Sequence, residues 1–77
     1  MTLQYLGISC GACPTIFEVK LEDGTEAYIK FRWGYIALNR EDNHEEIVGE
    51  RISDNLDGVI SWEDTVKWLN SKNYQVI

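Results

Sequence analysis

The sequence is short of basic residues, of histidine, of proline and of long apolar runs, and each shortage removes a class of function. Seven lysines and arginines stand against thirteen aspartates and glutamates, a net charge of −6 over 77 residues. A phosphate backbone is met by a basic surface, so direct nucleic-acid binding is not expected. No apolar run nears the roughly 18–20 residues of a membrane span. The opening Met1-Thr2-Leu3-Gln4-Tyr5-Leu6 has neither the basic stretch nor the long apolar stretch of a signal peptide. A soluble, acidic, cytoplasmic chain is the expectation. One histidine, and no evident carboxylate dyad, nucleophile elbow, phosphate loop or His-Glu-x-x-His motif, argue against an enzyme. Asp54-Asn55-Leu56-Asp57-Gly58 lacks the carboxylate ladder of a calcium-binding EF-hand loop. There is no repeat, no linker and a single proline, Pro14, so residues 1–77 read as one domain.

What is present is a core in outline. Hydrophobic residues make up 44% and aromatics 12%, which argues against disorder. Phe17, Val19 and Leu21 alternate with Glu18 and Lys20. After Glu22-Asp23-Gly24 the alternation resumes with Ala27, Ile29, Phe31 and Trp33 against Glu26, Tyr28, Lys30 and Arg32. This is a β-hairpin pattern. A two-residue Asp23-Gly24 turn mixes the faces. A three-residue loop pairs Leu21 with Thr25, Val19 with Ala27 and Phe17 with Ile29, keeps one face apolar, and uses Gly24 at its left-handed position.

Around the hairpin, Met1–Leu6 reads as a short strand and Gly7–Cys13 as a turn. Tyr35–Leu38 continues as strand after a bend or a tight Trp33-Gly34 turn. Asn39–His44 reads as a loop, Ile47, Val48 and Ile52 as a further strand, and Tyr74–Ile77 as a closing one. Ser61 is a helix N-cap with Asp64 three residues on. Trp62, Val66 and Leu69 make the apolar stripe with Trp68 at its edge, and Asn73 suits the left-handed position after the helix. The expected class is α+β: a small curved antiparallel sheet of four to five strands with one C-terminal helix packed on it.

A domain of this size buries only about 60% of the surface its unfolded chain exposes, so a staple matters. The two cysteines fall together as Cys10-Gly11-Ala12-Cys13. Two thiolates at this spacing can clasp zinc, act as a redox dithiol, or be two unrelated thiols. The redox reading needs a helix starting at the motif, whereas Pro14 and a β-patterned run follow it. A structural zinc has four ligands. His44 is the candidate third, with a carboxylate nearby as a fourth. Alternatively Cys10 and Cys13 of two copies close a four-thiolate site on a two-fold axis. Monomer and homodimer both stay open.

The charge is unevenly spread. Residues 41–64 hold nine acids and one base, a net −8, while the rest hold four acids and six bases, a net +2. Acidic loops and helix starts aid solubility. Concentrated on one surface, Glu41, Asp42, Glu45, Glu46, Glu50, Asp54 and Asp57 would instead address a basic protein partner. Lys20, Lys30, Arg32 and Tyr28 share a predicted strand face, as in single-strand binders, but Glu18 and Glu26 dilute it and it reads as an ordinary solvated face.

Cys13-Pro14-Thr15-Ile16-Phe17-Glu18 with Asp23-Gly24-Thr25 resembles an opening seen in small bacterial proteins, C-P-T-[IV]-[YF] followed by a D-x-G-type turn and a strand. That resemblance implies a hairpin and no function. Short, acidic, aromatic-rich and without an active site, the chain is similar in type to small acidic proteins of phages and prophages, including the anti-CRISPR inhibitors. That likeness implies a protein-binding inhibitor of a host nucleic-acid-handling machine, with a CRISPR effector nuclease as partner and the host cytoplasm as location. It transfers no site residues. The alternative is a structural or regulatory zinc-knuckle domain, as a monomer or as a metal-bridged homodimer, with no inhibitory role.

Overall fold

The alternating run from Thr15 onward builds the centre of the molecule in the computed structural model, which describes residues 1–12, 14–53 and 58–77. The strands are β1 (Thr2–Gly11), β2 (Thr15–Leu21), β3 (Glu26–Arg32), β4 (Tyr35–Arg40), β5 (Glu46–Arg51) and β6 (Gln75–Val76), with helix α1 (Trp62–Ser71) before the last. They form one curled mixed sheet in the order β5-β4-β3-β2-β1-β6. β1 to β5 run as an antiparallel meander.

The β2–β3 hairpin has the register that a single apolar face demands. Val19 faces Ala27 and Phe17 faces Ile29. Leu21 N donates to Thr25 O at 2.8 Å, and Gly24, at φ +89°, closes the loop with its N–H on Leu21 O. Asp23 Oδ1 accepts from Thr25 N at 2.9 Å, and the Thr25 side chain first, with this backbone bond, holds the Asp23 carboxyl below its usual range. Between β3 and β4 the tight turn is realised. Arg32 pairs with Tyr35, and Trp33 and Gly34 between them both have positive φ, +58° and +75°, the type I′ arrangement that matches strand twist.

α1 begins as its capping sequence requires, with Ser61 Oγ accepting from Asp64 N at 3.1 Å. It ends in a Schellman motif: Tyr74 N donates to Leu69 O and Asn73 N to Asn70 O, with Asn73 at φ +68°. This reversal delivers the chain to the outer edge of β1, where Gln75 N bonds Met1 O and Ile77 N bonds Leu3 O. The helix therefore carries the chain from one edge of the sheet to the other across a single face. Leu3, Phe17, Val19, Ile29, Phe31, Ile36 and Leu38 meet Trp68, Leu69 and Tyr74 beneath it.

Four expectations need correction. The sheet has six strands, not four to five, and is mixed, because β6 lies parallel to β1; two residues are too short for a hydropathy period of their own. Gly7–Gly11 is strand rather than turn. β-Bulges between Tyr5 and Gly7 and between Ile8 and Cys10 absorb the irregularity, with Gly7 at φ +147°. Asn39 and Arg40 belong to β4, while Ile52 lies past the end of β5. The buried helix face is Thr65, Trp68 and Leu69, so Trp68 stands at its centre and half-buried Val66 at its edge. Among the described residues no helix is long and apolar enough to cross a membrane.

A candidate binding face on the open side of the sheet

The face away from α1 carries the other half of each alternation. Strand pairing sets it out in rows. At one end Arg32, Tyr35 and Arg51 stand side by side; next come Lys30, Ala37 and Gly49; then Tyr28, Asn39 and Glu46. Beyond them Glu41 N bonds Glu26 O, bringing those two residues together. The face thus runs from basic to acidic along β3.

Ala37 is the smallest of the residues that line a groove of ≈390 Å³ here. Tyr35 Oη crosses Gly49 to donate to Glu46, 2.9 Å from Oε1 and 3.0 Å from Oε2. A Cβ on Gly49 would lie 2.7 Å from that hydroxyl. The hydrogen bond to Glu46 holds the Tyr35 phenol above its ordinary range, because ionising the phenol would forfeit that bond, and desolvation and the Glu46 charge act in the same direction. At the basic end Arg51 Nη1 donates to Trp33 O at 2.7 Å, and the Arg32 guanidinium stands 5.1 Å from the centre of the Trp33 ring.

A second groove, ≈420 Å³, lies toward the acidic end between β1, β2 and the β4–β5 turn, lined by Ser9, Glu18, Tyr28, Glu41 and His44 among others. Ser9 Oγ donates to Glu18 Oε2 at 2.9 Å. Tyr28 Oη lies 3.0 Å from His44 Nδ1. The Glu41 carboxyl is raised by desolvation and by the Glu18 and Glu26 carboxylates, with His44 opposing weakly. Desolvation, with Glu41 and Glu18, likewise raises the Tyr28 phenol.

The acidic residues singled out from the sequence divide. Glu41, Asp42 and Glu45 stand exposed on the β4–β5 turn. Asp42 is paired with Arg40, Oδ2 to Nη2 at 3.0 Å, which holds its carboxyl down. Glu46 turns into the first groove. Glu50 points to the opposite face, where it accepts from Trp68 Nε1 at 2.8 Å and meets Lys72 Nζ at 3.0 Å; these two, Lys72 foremost, lower its carboxyl. Asp54 and Asp57 lie outside the described residues. Glu18 and Glu26 complete the acidic end instead, and a search along the sequence for a dense window of acids passes over them. The signal was available in the hairpin register, which sets Glu18 beside Tyr28 and Lys20 beside Glu26.

Of the metal candidates, Cys13 also lies outside the described residues. Cys10 is a half-buried free thiol, 3.6 Å from Ala12 O, and His44 sits on Tyr28 in the β4–β5 turn. Among the described residues no group of three or more His, Cys, Asp or Glu side chains is placed to hold a metal ion. No protein-family model, no curated protein and no solved structure matches the chain.

Proposed function

We propose that the chain is a non-enzymatic binding protein that docks the acidic end of its open sheet face on a basic surface of a nucleic-acid-handling protein. The crowding of Glu41 with Glu18 and Glu26 carries this reading. Glu41 lines one groove with Glu18 and bonds Glu26 O through its N–H, and desolvation first, then these two carboxylates, raise its carboxyl. The ion pairs of Arg40 with Asp42 and Lys72 with Glu50 leave these three out. Lysines and arginines of a partner would supply the countercharge and relieve that repulsion, and complementary charge would speed and orient the encounter. The concrete case is an anti-CRISPR type of inhibitor whose acidic end occupies a basic channel of an effector nuclease and hinders nucleic-acid loading. It rests on the resemblance in size, acidity and aromatic content.

Binding of the purified chain to candidate effector nucleases at rising salt tests this. Electrostatic docking predicts affinity that falls with salt and drops further in a Glu41→Lys, Glu45→Lys double variant, but not in Glu63→Lys on the helix. Binding insensitive to salt, or equal in both variants, contradicts it.

A second reading is favoured by the position of Cys10 near the end of β1. Beyond Leu3 the outer edge of that strand has no strand beside it among the described residues. In this reading Cys10 and Cys13 of two copies hold one zinc, and the chain is a metal-bridged homodimer with a structural or regulatory role. Solution mass with and without chelator decides it. Chelator-driven monomerisation supports the bridge, whereas an unchanged mass and no zinc by elemental analysis remove it.

A further inference from the structure

The Trp33-Gly34 turn carries a feature that stability does not explain. Trp33 is 50% exposed and sits at φ +58°. For a bulky side chain that conformation is an outlier, and a type I′ turn favours asparagine or glycine there. The indole gains little burial in return. The Arg32 guanidinium nevertheless stands against the ring, and Arg51 holds the backbone of the turn through its bond to the Trp33 carbonyl. Strain of this kind concentrates at functional sites.

Around this indole the groove gathers Lys30, Arg32 and Arg51, three of the chain's seven lysines and arginines, with Tyr28 and Tyr35. The one carboxylate among them, Glu46, is engaged through both oxygens by Tyr35 Oη. The net charge of −6 does not govern this end. Glu18 and Glu41 share the second groove with Tyr28 and Lys30, so the basic character is strongest at Arg32 and Arg51. Glu26 is six residues from Arg32 along β3, about 20 Å at strand rise, and exposed charges are screened over about 8 Å at physiological salt. Cations beside an exposed ring fit a ligand that alternates anions with flat apolar rings. A polyglutamate-like acidic peptide has the anions without the rings. A duplex hides its ring faces by stacking, and an unpaired strand presents both.

We propose that this groove binds a short single-stranded nucleic-acid segment, with a base stacked on Trp33 and phosphates against Lys30, Arg32 and Arg51. The inference concerns the end of the face opposite to Glu41 and stands apart from the acidic-docking reading.

The test titrates the full chain into a labelled oligodeoxythymidylate of about eight nucleotides, within the usual span of one single-strand-binding face, followed by anisotropy. Polyglutamate of matched charge serves as competitor. The oligonucleotide should bind at low salt and weaken as salt rises. Trp33→Asn should lose about tenfold in affinity through lost stacking, while its denaturation midpoint rises because asparagine suits the turn. Lys30→Glu, an open-face change outside the turn, should also weaken binding, and polyglutamate should compete poorly. The proposal is overturned if the wild-type chain does not bind, if Trp33→Asn or Lys30→Glu binds as well as wild type, or if polyglutamate competes equally and so assigns the groove to acidic peptides.

Discussion

The two faces of one sheet treat charge in opposite ways. Under α1, the carboxylate that reaches the covered side, Glu50, meets an indole N–H and an ammonium. Two buried hydroxyls there are also matched: Thr15 Oγ1 donates to Gly58 O at 2.7 Å, and Thr65 Oγ1 to Ser61 O at 2.9 Å. On the open side, carboxylates crowd one another at one end, and a tryptophan is held in a strained turn among cations at the other. Polar groups on the first face complete the fold. Those on the second pair with one another near the surface, Tyr35 with Glu46, Tyr28 with His44 and Ser9 with Glu18. The single helix among the described residues covers one side of the sheet and leaves the second side open.

The contrast can be broken first at adjacent residues of β3. Ile29 is fully buried, and Ile29→Ala should destabilise by about 2–5 kcal/mol in urea denaturation. Lys30→Ala, its open-face neighbour, should stay within about 0.5 kcal/mol. Equal costs would mean that the open face carries fold stability as well. Next comes Thr15→Val, which keeps the shape and removes a buried hydroxyl that donates to Gly58 O and accepts from Ile60 N at 3.4 Å. It should cost about 1–3 kcal/mol by leaving those groups unmatched, whereas Ile16→Val on the open side should cost about 0.5–1.5 kcal/mol at most. Gly49→Ala probes the open face at a single bond. The nearest atoms to the added Cβ are the ends of the Tyr35 and Glu46 side chains, so the fold should hold while the Tyr35–Glu46 bond is lost. Ultraviolet titration should then show the Tyr35 phenol falling toward its ordinary value.

Much of this was legible in the sequence where one physical rule acted alone. The β2–β3 register followed from keeping Phe17, Val19, Ala27 and Ile29 on one side, and the helix start followed from Ser61. Legibility failed where a partner distant in sequence decided. Trp68 is central to the helix face because Glu50, from the far edge strand, reaches its indole N–H. β6 exists because Met1 and Leu3 offer carbonyls to Gln75 and Ile77. The acidic segment read as one surface, yet Glu46 and Glu50 emerge on opposite faces. Four residues apart, they would share a face in a regular strand, but the pairing shifts by one residue at Leu38 and Asn39, with Leu38 facing Val48 and Asn39 facing Glu46. That irregularity reverses the side. The basic groove was hidden in turn because Arg51, the only base between residues 41 and 64, is counted along the sequence with its acidic neighbours and stands in space beside Arg32.

The most direct measurement is the titration of the Glu41 and Glu50 carboxyl carbons by NMR in the intact chain. The ordinary glutamate value is 4.5. Glu50, held low by Lys72 and Trp68, adds stability above that value and loses it as pH falls through its own lower one; Glu50→Gln should therefore destabilise at neutral pH, with the gap closing in acid. Glu41, held high, is most compatible with folding below 4.5 and opposes it as pH rises through its own higher value; Glu41→Gln should stabilise at neutral pH, again converging in acid. The account predicts Glu41 titrating above 4.5 and Glu50 below it. A common value for the two, or the reverse order, would contradict the division of the sheet into a face matched for folding and a face left charged for binding.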